Sequence, residues 1–327
     1  MWRIYLLALG LTLTVGCQHD TDVFDGPSLN DRFGPFTVQE ELSVNRTTVD
    51  FSAGEAVFFE ALFSKNINWV VEITGQESGA VKLIEGFSRE LTIDNARWNG
   101  TTTDLPLFRQ EACEIKLIIP EEDSLTFTAQ VEVTGSRVYD GSLITDFEED
   151  LGTSLFTGNF EFELTDRTGI QSDIPAGQGS NYFLFEGTDG VVPNNFAGLI
   201  RIFPSANGET YFQLPTSVPE SAYFNFMLYG DGAPNTIAVI QFFTDTNEDG
   251  QFSDGVDQSF EIGAFPVEHV GWKILSPTMD LTGMSQIQME QIVGIQILLI
   301  HATQGGSELV RFGIDYLTFT QDQPFQP

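Results

Sequence analysis

The chain is short of the residues that most metal and redox chemistry requires, with three His and two Cys among 327 residues. That leaves little material for a zinc, haem or iron–sulfur centre. Basic residues are scarce too. Fourteen Lys and Arg stand against 47 Asp and Glu, a net charge of −33. This excludes nucleic acid as a partner, because phosphate binding needs Lys and Arg gathered on one face. It equally disfavours adsorption to anionic lipid head groups. The sequence holds no Gly-x-Gly-x-x-Gly, no phosphate loop and no Gly-x-Ser-x-Gly elbow. His269 and His301 could each act as a base, yet no nucleophile motif accompanies either. With so many acids some carboxylate pair is bound to exist, so carboxylates alone do not point to glycoside hydrolysis.

What is present is aromatic and turn-rich. Twenty-nine Phe and 31 Gly, in a chain that is 41% hydrophobic, are the wrong mixture for disorder, because so many rings must be buried. A soluble, acidic, all-β protein is the expectation. From residue 36 to 135, short runs alternate with period two: 49–51, 56–59, 67–71, 81–84, 114–119 and 125–133. A spacing of roughly 8–12 residues, punctuated by Gly, Asn and Pro, reads as a β-sandwich. Residues 136–325 read as one larger β domain, with strands near 143–148, 223–229, 237–243, 259–265, 292–300 and 312–319. The tail 321–327 is polar and Pro-rich and is expected simply to end.

Residues 1–16 read as a secretory signal, with Arg3 at the start and an apolar run too short to span ~30 Å of hydrocarbon comfortably. Thr14-Val15-Gly16-Cys17 resembles the lipobox of bacterial lipoproteins, with Thr14 where Leu is usual. The resemblance implies a lipid on Cys17 and an outer-membrane anchor; the alternative is an ordinary secretory signal. Cys113 would then be the one free thiol and no intrachain disulfide could form. Residues 17–35 form a polar tether. Its acids close behind Cys17 resemble the export signal of Bacteroidetes-type surface lipoproteins, which implies exposure on the cell surface.

Two further resemblances concern fold. Trp98-Asn99-Gly100, followed by a strand with Cys113, is similar to the strand pair of bacterial Ig-like modules, and Trp69 sits where such sandwiches place a core Trp. That implies an Ig-like spacer at 36–135. The opening Leu143-Ile144-Thr145-Asp146-Phe147-Glu148, the central Gly271-Trp272-Lys273 and the closing 312–319 strand resemble the galactose-binding-like jelly roll. This superfamily includes carbohydrate-binding modules and the complex I intermediate-associated proteins. The resemblance implies a structural calcium held by the opening acids and the terminal Asp, which fall here on Asp146, Glu148 and Asp315.

The residues themselves supply a sharper metal candidate. Asp245, Asn247 and Asp249, then Gly250, follow the ligand spacing of a calcium loop, with Gln251 offering a carbonyl. Position twelve is Val256 rather than Glu, so Asp254 or Asp257 must complete the shell. The rival reading is an acidic turn facing solvent. Asp315 is expected in phase with Leu317 and Phe319, an acid on an apolar face that needs a partner, either Arg311 or calcium shared with Glu148. Sugar-stacking candidates are Tyr223, Tyr229, Trp272 and Tyr211, with Asn225 to take hydroxyls; core packing is the competing role for Trp272.

Together these readings anticipate a non-catalytic cell-surface lipoprotein that captures polysaccharide or oligosaccharide and carries structural Ca2+. A structural or adhesive surface protein without a sugar site is the alternative, and a divergent carbohydrate-active enzyme the third. Replacing the lipidation residue tests the first step: Cys17→Ala should move the mature protein from the membrane to the soluble fraction, and unchanged membrane association would refute the anchor.

Overall fold

A computed structural model describes residues 34–158, 167–188, 195–204, 209–301 and 309–327. The signal segment, Cys17 and most of the tether lie outside the described residues. The described chain is almost entirely β, as its composition and alternation require.

In the first half the organising element is β3 (Val57–Gly75), whose 19 residues keep one phase throughout. Val57, Phe59, Ala61, Phe63, Ile67, Trp69, Val71 and Ile73 all point into the core. Its early part pairs with β1 (Val38–Val44) and its late part with β6 (Ala112–Ile119). Along the other edge runs β4 (Val81–Leu91), in register at Leu62 with Glu90 and next at Ile67 with Ser88. Four residues of β3 thus oppose one of β4, a bulge that bends the strand. β6 pairs with β7 (Leu125–Gly135), and β2 (Thr48–Asp50) adds to β7 in parallel. The result is a single seven-stranded sheet, order β1-β3-β6-β7-β2 with β4 beside β3, curved around its own core.

Trp98, in the short β5 (Arg97–Trp98), is fully buried between Phe51 and Phe108, whose rings meet it edge-on at 4.7 and 4.8 Å. Gly100 turns the chain there at φ +86°, where a Cβ would strike the Phe51 ring at 2.8 Å. Cys113 is buried as a small apolar residue, and burial pushes its thiol well above the usual range.

The second half is a sandwich of two antiparallel sheets. One holds six strands: β10 (Gly169–Gln171), β11 (Tyr182–Thr188), β18 (Leu309–Gln321), β13 (Ala222–Asp231) and β16 (Val270–Leu275), with β8 (Ser142–Thr145) on β18. The other holds β15 (Gln258–Pro266), β14 (Thr236–Thr244), β17 (Ile292–His301), β12 (Asn195–Ile202) and β9 (Leu155–Gly158). The phenylalanines go between them: Phe147, Phe183, Phe185, Phe224, Phe226, Phe242, Phe312 and Phe319 form one core with Ile and Leu from both sheets.

β18 departs from simple alternation. Asn225 pairs with Thr318 but Met227 pairs with Asp315, and Tyr316 takes φ +46°. This bulge inverts the phase, so that Phe312 and Ile314 before it and Leu317 and Phe319 after it all face the core. Asp315 therefore does not share the apolar face of Leu317 and Phe319, which corrects the sequence expectation. It stands on the opposite face, with Arg311.

That opposite face is covered. Leu107 and Leu105 from the first half, Tyr139 from the connection, and Phe325 from the tail pack against Met227, Tyr316, Trp272 and Ile274. Leu107 N–H donates to the Gly177 carbonyl at 2.9 Å, and Arg109 Nη1 to that of Gly179 at 3.3 Å. The tail does not simply end. Asp322 N–H donates to the Ser221 carbonyl, Thr320 Oγ1 to that of Gln323, and Phe325 N–H to Asn225 Oδ1 at 2.9 Å. Phe325, buried against Tyr139 (4.7 Å) and Tyr316 (5.3 Å), is the pin of this strap. Phe325→Ala should cost about 3 kcal/mol in denaturant unfolding of the full chain. A loss below about 0.5 kcal/mol, the range of ordinary surface substitutions, would show that the strap is not structural.

Candidate functional site

The sequence-selected sugar face lies on the covered side of the six-stranded sheet, and this removes part of it. Asn225 is fully buried. Its Nδ2 donates to the carbonyls of Tyr223 and Thr318 and to Thr320 Oγ1, and its Oδ1 accepts from Phe325 N–H. Nothing of it is left for a ligand. Trp272 Nε1 donates to the Pro175 carbonyl at 2.8 Å, and its ring lies 5.6 Å from Tyr182 and 5.5 Å from Tyr229. A Cβ on Gly177 or Gly313 would press that ring at 3.2–3.3 Å. Trp272 and Tyr229 are thus packing partners, while Tyr223 sits at the far end of β13 beside Thr320. The four do not converge. His269 places a ring nitrogen 3.1 Å from the Leu228 carbonyl, as a structural residue does, and the His301 side chain lies outside the described residues.

The acidic loop between β14 and β15 closes on itself. Asp245, buried, accepts from Gly250 N–H (2.7 Å), Tyr211 Oη (2.9 Å) and Asp249 N–H (3.2 Å). Burial raises its carboxyl, but the Gly250 and Tyr211 hydrogen bonds outweigh it and hold the group below its usual range. Asp257 accepts from Thr246 and Ser253 N–H, and Asp249 from Gln251 N–H and Asn247 Nδ2. Gly250 turns at φ +73°. Asp254 points away, its carboxylate 3.5 Å from Arg201 Nη1. Asp245, Asn247, Asp249, Gln251, Asp254 and Asp257 are therefore not gathered around one point. Among the described residues no three His, Cys, Asp or Glu side chains come close enough together to hold a metal ion.

Asp315 is a different case. It is wholly buried, accepting from Gln178 N–H (2.8 Å) and Tyr316 N–H (2.7 Å). Arg311 is not its partner, since its Nε donates to Glu186 at 2.6 Å. Burial lifts the Asp315 carboxyl well above the ordinary range, and the charges of Asp146 and Glu148 lift it further. Glu148 Oε1 accepts from Ser180 and Asn181 N–H, so the 177–181 segment ties the two acids together. Gln178 Oε1 is buried without a partner among the described residues.

The outer face of the five-stranded sheet carries a constellation that sequence reading did not assemble. Arg201, Gln296, Gln241 and Glu261 occupy register positions in a row across β12, β17, β14 and β15. Arg201 Nε donates to Gln296 Oε1 at 2.6 Å, and Gln296 Nε2 to Gln241 Oε1 at 2.7 Å. The Gln241 Nε2 group has no protein partner among the described residues. Aromatic rings flank this row. The Arg201 guanidinium lies 4.9 Å from the Phe252 ring, 5.7 Å from Phe243 and 5.8 Å from Phe156. Phe252 comes from the acidic loop and packs on Phe203 and Phe243 at 5.6 and 4.7 Å. A cavity of about 350 Å3 opens beside it, lined by Phe203, Glu209, Thr210, Gln251, Phe252 and Val293 among others.

An outward sheet face is ordinarily solvated, yet here Gln296 is 6% and Phe243 8% exposed, while Phe156 remains 48% exposed. Gln296, bonded through both ends of its amide, orients the row; the Gln241 amide and the exposed Phe156 ring are what it offers a polyol's hydroxyls and C–H faces. The signal for it lay in β14 and β17, where Gln241 and Gln296 interrupt otherwise apolar strands in the outward phase.

No known family matches the chain, and no curated protein does. Similar solved structures include a family 30 carbohydrate-binding module (13% identity, TM-score 0.40, covering 57% of this chain and 91% of that one). Another is a family 11 module from Clostridium thermocellum in complex with a β-1,3-1,4-mixed-linked tetrasaccharide (13%, TM-score 0.37, 57% and 99%). A third is SGBP-B from a complex xyloglucan utilization locus in Bacteroides uniformis (11%, TM-score 0.35, 88% and 73%). All three TM-scores lie below 0.5, too low to carry a ligand or a mechanism across.

The geometry at Asp315 gives a test that needs no ligand. Both hydrogen bonds to Glu148 fall on Oε1, so Glu148→Gln keeps them while removing a charge beside a buried carboxylate. In chelator at neutral pH this variant should melt slightly above the parent. A lower melting temperature would mean that the Glu148 charge is compensated within the protein.

Proposed function

We propose that this protein is a non-catalytic cell-surface lipoprotein that binds polysaccharide or oligosaccharide on the outer face of the five-stranded sheet. The observation that carries the reading is the hydrogen-bonded row Arg201–Gln296–Gln241 set between Phe156, Phe203, Phe243 and Phe252. Surface attachment rests on the lipobox-like segment ending in Cys17. Arg201 orients Gln296, and through it Gln241, by a charged hydrogen bond worth about 1.5–3 kcal/mol, so its loss should weaken binding by up to about tenfold. On an array of immobilised polysaccharides, the parent should be retained by at least one polymer, with Arg201→Ala and Gln296→Ala both losing that retention. Equal retention of both variants would move the site elsewhere.

Calcium belongs to this proposal as a structural ion. The observations that favour it are the buried Asp315 carboxylate, which feels the charges of Asp146 and Glu148, and the orphaned Gln178 Oε1 in the segment that caps it, although the three carboxylates are not gathered around one point. A hard cation takes carboxylate and carbonyl oxygens of this kind. Backbone N–H groups already meet carboxylate oxygens at both places, but among the described residues the Asp245–Asp257 loop leaves no buried polar side-chain atom without a partner, whereas the Asp315 site leaves Gln178 Oε1. Ca2+ should therefore raise the melting temperature, and Glu148→Gln should blunt that rise more than Asp249→Ala does.

A further inference from the structure

Resting on the carbohydrate reading above, we propose that the Arg201 face takes uncharged saccharides and that Asp254 is the residue that turns acidic ones away. Arg201 is a cation with few open directions. Its Nε is committed to Gln296, three phenylalanine rings stand around the guanidinium, and Nη1 faces the Asp254 carboxylate. Its side chain is 17% exposed, whereas that of Asp254 is 75% exposed. A ligand approaching Arg201 from solvent therefore meets a carboxylate first. An exposed pair at 3.5 Å adds little stability, so the pairing matters for what it excludes.

Asp254 stands where an acidic ligand's own carboxylate would stand. A uronate or sulfate ester would have to displace Asp254 and then remain beside it. The rim adds to the repulsion, because Glu209 lines the cavity beside Phe252 and Glu248 and Asp249 directly precede Gly250 in the loop. The whole chain, at −33, opposes polyanions at longer range. An uncharged polyol does not have to displace Asp254. It can donate a hydroxyl to that carboxylate while taking a hydrogen bond from Gln241 Nε2.

The test is affinity electrophoresis of the full chain in gels containing a soluble neutral glucan, a neutral galactomannan, polygalacturonate or a sulfated galactan. The parent should be retarded by a neutral polymer and not by the two anionic ones. Asp254→Asn should raise affinity for polygalacturonate relative to the neutral polymer by about fivefold, the ceiling for one exposed charge pair. Added salt should shrink the effect of Asp254→Asn on that ratio, because it screens the charge that the substitution removes. Parent retardation by polygalacturonate equal to that by the neutral polymers, or a ratio that Asp254→Asn leaves unchanged at low salt, overturns the selectivity and leaves the carbohydrate reading standing. No retardation by any of the four overturns both.

Discussion

The bulge at Asp315–Tyr316 in β18 is the constraint on which the second half of the molecule depends. β18 is the central strand of its sheet, bonded to β11, β13 and β8. Without the phase inversion, a strand that sends Phe312 and Ile314 inward would send Leu317 and Phe319 outward. The left-handed conformation of Tyr316 costs backbone energy, and the surrounding pairing holds it. Its by-product is a carboxylate that enters the covered face rather than solvent. Asp315 is met there by two N–H groups and by the charges of Asp146 and Glu148.

From that follows the choice of working surface. A sandwich has two outer faces. One is occupied here by Leu107, Tyr139 and Phe325, which join the first half, the connection and the tail to the six-stranded sheet. The other outer face carries the Arg201 row. Few cations are available to an acidic chain, and several of the described ones are used as pins: Arg311 on Glu186, Arg109 on Glu77 and on the Gly179 carbonyl, Arg201 on Gln296. Arg suits the last position better than Lys would. Its planar fork can bond Gln296 through Nε and still present Nη groups between stacked rings.

Much of this was legible in the sequence and some was not, for definite reasons. Period two marked the strands, and the phenylalanine count required a ring-filled core. Trp69 is buried, as the resemblance to Ig-like modules implied for a core Trp. Alternation shows that a strand has two faces, but not which face another element will cover. Asn225 lies opposite Phe224 and Phe226, on a face that the first half, the connection and the tail cover at Met227 and Tyr316, while Tyr229 is half-buried at its edge. The tail hid its role because a polar, Pro-rich segment needs only one Phe to become a strap. Arg201, Gln241 and Gln296 stayed invisible as a group because strand pairing, not sequence, brings them together.

The acidic loop shows the same point from the other side. Its residue pattern suggested an ion, while its structural effect is to carry Phe252 and Asp254 to the Arg201 face. Asp245 accepts from Gly250 and Tyr211, Asp257 from Thr246 and Ser253, and these bonds fix both ends of the 245–257 turn. A hairpin tip held at both ends presents its intervening side chains in fixed directions. Asp245, Asp249 and Asp257 are thus accounted for by backbone N–H groups that would otherwise lack acceptors. A ring and a carboxylate placed this way at the sheet's edge make the loop part of the outer face of the five-stranded sheet.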